Sequence, residues 1–153
     1  MKNVLLLMLI LISLYGNSQI KRERLSKIFI GKTECEFIKK TEGGDISTYA
    51  LIKFQNMKYQ SVSDIAIIIL SDSFEVKTLI NDLDSALSFV QKRTEKLIER
   101  GSTMTYESKY YQLYISESFR GVYLSDKERR LTQLNRKQIG DLIEWLKSLK
   151  FQE

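Results

Sequence analysis

Apolar residues along the chain follow two spacings, one of period two and one of period 3.6, and the switches between them divide it into elements. Helical spacing first appears at Val76, Leu79, Ile80, Leu83, Leu87 and Val90. Asp72 stands where an N-cap belongs, and Glu75 three residues later completes a box-like pattern. Leu97 and Ile98 extend the stripe, Lys96 and Arg100 suit the negative end of the helix dipole, and Gly101 supplies a stop. A second helix is predicted from Asn135, with Gln138 at its third position and Leu134 and Ile139 placed as a hydrophobic staple. Its buried stripe is Ile139, Leu142, Ile143, Leu146 and Leu149.

The remaining segments read as strands. Residues 25–30, 34–40, 47–54 and 64–70 precede the first helix, with a turn-forming cluster at 41–45. The run Ile65-Ala66-Ile67-Ile68-Ile69-Leu70 is apolar throughout, which predicts a central strand covered on both faces. Residues 103–108, 110–116, 120–124 and 128–134 supply four more strands before the second helix.

This order predicts an α+β fold, with antiparallel sheets and two amphipathic helices in a degenerate tandem β-β-β-β-α repeat. The half-repeats run from about 24–100 and 102–150 within one domain, 19–153. At an offset of 63 residues, Asn135 falls on Asp72, Gln138 on Glu75, Ile139 on Val76 and Ile115 on Ile52. Leu142, Ile143 and Leu146 fall on Leu79, Ile80 and Leu83, so most matches are of residue class. Two such units in tandem resemble the Pur-alpha and whirly type of folds, and small exported bacterial proteins of unknown function are similar in the same way. The resemblance covers most of the chain after residue 18 and rests on element order. It implies binding of single-stranded nucleic acid on the sheet; no residue-level motif of that family carries over.

The first residues alter that implication. Lys2 precedes an 11-residue run, 4–14, that only Ser13 interrupts, and Gly16 and Ser18 suit a signal peptidase. The expectation is a cleaved export signal, residues 1–18, and a mature chain starting at Gln19. The run is short of the roughly 20 residues that span a bilayer, so no stable membrane span is expected after cleavage. The protein is expected in the periplasm or outside the cell, which argues against an intracellular nucleic-acid role.

Composition narrows the chemistry further. Lys and Arg number 24 and Asp and Glu 19, a net charge of +5 that loss of Lys2 takes to +4. This permits a polyanionic partner without demanding one. There is no His, which removes the commonest general base, the commonest metal ligand and every His-dependent triad. Cys35 has no partner in the chain and shares a strand face with Phe37, so it reads as a small buried hydrophobe, the alternative being a disulfide between chains. Asp72 and Glu75 read as caps, and Asp82 and Asp84 point to different sides of a helix. No catalytic residue, metal site or cofactor is therefore expected. Ser residues lack a base, and Gly43-Gly44 alone is a turn.

The aromatic residues carry the remaining signal. Along 110–116, alternation turns Tyr111, Leu113 and Ile115 to the core and Tyr110, Gln112 and Tyr114 to the other face. Tyr123 joins them from the next strand, with Arg120 and Arg130 near the rim. Tyr110, Tyr114, Tyr123, Arg120 and Arg130 thus form a candidate site for a ligand with flat rings and negative charge. Against this stands the high β-propensity of Tyr, which often lies half-buried on a sheet. The basic residues gather at 21–24, at 92–100 and at 127–137, each broken by nearby acids. Arg136 and Lys137 oppose the dipole of the second helix. The sequence thus points to an exported, non-enzymatic binding module with a polyanionic or aromatic ligand. The alternative is a structural or inhibitory protein that docks a partner protein through a sheet edge or helix face. A carboxylate hydrolase would need residues that already serve as caps.

Overall fold

The computed structural model describes residues 20–57, 64–95, 102–115 and 121–151. Residues 1–18, expected as an export signal, Lys96 to Gly101 with the expected end of the first helix, and Phe119 and Arg120 lie outside the described residues. Strands β1 (Lys21–Ile30), β2 (Thr33–Glu42), β3 (Asp45–Gln55) and β4 (Ile65–Leu70) form one antiparallel sheet in chain order. Helix α1 (Ser73–Thr94) follows. A second antiparallel sheet holds β5 (Met104–Glu107), β6 (Tyr111–Ile115), β7 (Val122–Asp126) and β8 (Leu131–Leu134), and α2 (Arg136–Ser148) closes the order. The class is α+β, as the periodicities predict.

The caps act as the sequence specifies. Asp72 accepts the Glu75 N–H at 2.8 Å, and Glu75 in turn accepts the Ser71 N–H. At α2 the reciprocal box is complete: Asn135 accepts from Gln138 N and Gln138 accepts from Asn135 N, both at 2.9 Å. These bonds satisfy N–H groups that a helix start leaves without partners. The 63-residue offset therefore matches the helix caps. It does not carry the strands, because it sets Ile115 of β6 on Ile52 of β3, whereas β6 is second in its sheet and β3 third.

Register builds the first sheet's inner face. Ile28, Cys35, Ile52 and Ile68 lie side by side across β1 to β4, with Phe37, Ala50 and Leu70 in the next row. Small residues alternate with large ones, which lets the layer interlock. Cys35 is fully buried, and burial pushes its thiol up to about 12, leaving almost no thiolate at neutral pH.

On β4 the structure departs from expectation. The strand is at an edge, and only Ala66, Ile68 and Leu70 are buried. Ile65, Ile67 and Ile69 face solvent at 53%, 44% and 46% exposure. Residues that would ordinarily be polar on the outer face are isoleucines here, so an alternating strand reads as a doubly covered one.

Next to that apolar row lies an ion cluster on the same outer face. Lys27 faces Glu36 and Lys53 faces Glu34 across the strands. Arg24 meets Glu36 at 2.6 Å, Lys27 meets Glu34 at 3.0 Å, and Lys53 donates to both acids. The stems of these cations cover Glu36 to 2% exposure on the solvent side of the sheet. The Lys27 ammonium holds the Glu34 carboxyl below its ordinary 4.5, and Glu36 raises Lys53. A carboxyl whose folded value is depressed contributes stability above its unfolded value and loses that contribution as pH falls through the folded one. The urea midpoint is therefore expected to drop as the pH falls from about 6 to about 3, and Glu34→Gln should flatten the drop. Equal slopes for the two proteins would remove Glu34 from the account.

The two units interlock. Helix α1 lies against β5 and β6 of the second sheet, and α2 lies against β1 and β8. β3 and β4 meet β8 and β7. One continuous core joins both sheets and both helices, including Leu79, Leu83, Leu142, Leu146 and Trp145, which the predicted stripe omits.

Candidate functional site

The tyrosine face is built by the second sheet. Tyr111, Leu113 and Ile115 of β6 are buried, and Tyr114 between them is 41% exposed. Register places Tyr114 opposite Tyr123 of β7, flanked by Thr105 of β5 and Gln133 of β8. The two rings stack at 5.9 Å between centroids with planes 25° apart. Two of the five residues expected at the site thus form one aromatic platform.

The others stand elsewhere. Arg120 lies outside the described residues. Tyr110 precedes β6, in a turn where the Ser108 hydroxyl accepts the N–H groups of both Tyr110 and Tyr111 at 3.1 Å. Its half-buried ring packs against the core, with the ammonium groups of Lys109 and Lys127 at 5.2 and 5.4 Å. Tyr111 donates its hydroxyl to Asp82 of α1 at 2.7 Å; burial and that bond raise its pKa well above the phenol's ordinary value. Asp82 is thereby a packing partner of the sheet.

Arg130 is held in the seam between the sheets. Its guanidinium pairs with Asp126 at 2.5 Å and reaches Asp64 and Glu128 at 3.4 Å, so its pKa is raised, chiefly by Asp126. Asn56, also buried there, donates to Asp64 and accepts from the Leu131 N–H, and Met57 N–H bonds Leu131 carbonyl at 2.9 Å. This polar seam ties the end of β3 to the start of β8. Arg130–Asp64 and Asn56–Leu131 join residues 66 and 75 apart, so no local pattern announces the seam as a whole.

The basic clusters are also engaged in part. Arg136 donates to Gln91 of α1 at 3.2 Å and Lys137 pairs with Asp141 at 2.7 Å, which offsets their unfavourable place in the first turn. Asp84 stands 4.0 Å from Lys147.

Two recesses flank the seam and the tyrosine face. The larger, about 550 Å³, lies between the β1–β2 turn, the end of β3, β8 and the start of α2. Amides and hydroxyls line it: Gln55, Asn56, Gln133, Gln138, Thr33 and Thr132, with Lys32 at the rim. Gly31 lines it at φ +61°, and a Cβ there would lie 2.0 Å from the Gln138 amide nitrogen. Glycine is thus required both by backbone angle and by the capping side chain above it. The two-residue Gly31-Lys32 turn is the local sequence signal for this end of the recess. The smaller recess, about 340 Å³, opens at the hairpin end of the second sheet among Lys109, Gln112, Lys127 and Arg129.

Among the described residues no cluster of three or more Cys, Asp or Glu is disposed to hold a metal ion, and no helix is long and apolar enough to cross a membrane. No protein-family model matches the chain, and no curated protein matches it.

Proposed function

We propose that this protein is an exported, non-enzymatic binding module whose second sheet holds an acidic oligosaccharide on the Tyr114–Tyr123 platform. The stacked, partly exposed ring pair carries the proposal. Flat apolar faces set on neighbouring strands lose little freedom on binding a sugar ring, while Thr105 and Gln133 on either side offer hydrogen bonds to hydroxyls. The larger recess is also lined by neutral amides and hydroxyls, groups suited to holding a polar ligand. Export, read from the leader, favours a glycan over nucleic acid.

The test is titration of wild type and a Tyr114→Ala, Tyr123→Ala double variant with an acidic oligosaccharide, and separately with a single-stranded oligonucleotide, at two salt concentrations. Each stacked ring is worth about 1–3 kcal/mol, so the double variant should bind the glycan at least about tenfold more weakly. Equal glycan binding by both folded proteins would exclude the platform, and tighter binding of the oligonucleotide would replace the glycan as its ligand.

A second reading is favoured by one specific observation, the isoleucine row of β4. An apolar row on an edge strand is suited to docking a partner protein. If wild type binds neither probe, this reading gains.

A further inference from the structure

We infer that the hairpin end of the second sheet is a binding site for a tetrahedral oxyanion, a sulfate or phosphate ester, held by Lys109, Lys127 and Arg129. Two neighbouring turns bring these cations together. Lys109 comes from the β5–β6 turn, Lys127 and Arg129 from the β7–β8 turn, and all three line the recess of about 340 Å³.

Three observations point to a ligand. First, none of the three cations has an ion-pair partner among the described residues. Asp126 lines the same recess, but its carboxylate is engaged by Arg130 and by the N–H groups of Glu128 and Arg130. Glu128 at the turn faces Arg130 at 3.4 Å. Glu107 is the remaining acid in the lining, so positive charge prevails. Second, the Tyr110 ring lies close to both ammonium groups, which steadies two like charges that would otherwise repel. Third, Arg129 sits at φ +59°, the one non-glycine residue in the left-handed region among the described residues. The β7–β8 turn closes through Arg129 N–H to Asp126 carbonyl and Asp126 N–H to Arg130 carbonyl. Such a turn favours glycine or asparagine at the left-handed position. An arginine there gives up backbone comfort at a residue that lines the recess, where a guanidinium can serve an anion.

The site differs from the tyrosine platform. Gln112 lines the recess and Tyr114 lies two residues further along β6, about 7 Å away on the same face. A free anion needs no ring, so the two readings fail separately.

The experiment is calorimetric titration with inorganic sulfate and phosphate, and with glucose 6-sulfate and glucose 6-phosphate, at constant ionic strength set by chloride. Thermal shift is not used for binding, because sulfate stabilises folded proteins by exclusion. Wild type should bind at least one ester, and the ester bound more tightly names the source. Arg129→Gly and Arg129→Asn should weaken that binding at least about fivefold while Tm, measured in chloride, holds or rises. Lys109→Ala and Lys127→Ala should weaken it as well, and the Tyr114→Ala, Tyr123→Ala variant should leave it unchanged. The proposal is overturned if wild type binds neither ester, if both Arg129 variants bind within about twofold of wild type, or if the tyrosine variant loses the anion.

Discussion

Replacing Leu146 by Ala is expected to lower the stability of the protein by about 2–5 kcal/mol. Leu146 is fully buried on α2, in the core that joins both sheets. The truncation removes apolar area from contact and leaves a cavity between elements that cannot close it, because α1, β1 and β8 each hold α2 in place. The same change at Lys147, exposed one position on, should stay within about 0.5 kcal/mol. Urea titration of both variants checks the contrast. Equal midpoints for Leu146→Ala and wild type would mean that α2 does not dock on the sheets.

Arg130→Met should cost about 2–4 kcal/mol, more than a surface ion pair is worth. The reason lies in what is left behind. Asp126 is almost fully buried, and without the guanidinium its charge keeps only the two backbone N–H bonds. Asp64 loses a partner too, although Asn56 still donates to it. A double variant, Arg130→Met with Asp126→Asn, should recover part of the loss, since the stranded charge goes with its partner. A double variant that loses the sum of the single effects would show that the pair contributes nothing as a pair.

Those two sites mark how far the sequence could be read. Leu146 belongs to a stripe visible from spacing alone, and Asn135 with Gln138 announces the start of its helix, because caps and amphipathic periods are local properties. The inward set Tyr111, Leu113 and Ile115, and Tyr114 opposite to it, follow from the pleat. Tyr110 does not obey the alternation, since Ser108 draws its N–H into a turn before β6 begins. Nearness in sequence predicts Arg130 at the rim of the tyrosine face; its direction is set instead by Asp126 and by Asp64, 66 residues away. The edge position of β4 is likewise a matter of topology, and its isoleucines disguise it. Lys109 is not legible in the sequence, because a single lysine in a turn carries no pattern until a second turn folds beside it.

The contact of α2 with β1 bears on how the chain comes into being. The first four strands are synthesised well before α2, the last element, which lies against β1. At usual ribosomal rates the interval is on the order of ten seconds. Throughout it, the first sheet lacks the contact that α2 makes with β1, and the helix made directly after that sheet has partners in β5 and β6 that are still to be translated. Sequence-distant contacts of this kind slow folding. A message cut short ahead of Arg136 would yield both sheets and α1 without the helix that contacts β1 and β8, open to pairing with its neighbours, in place of a smaller working protein.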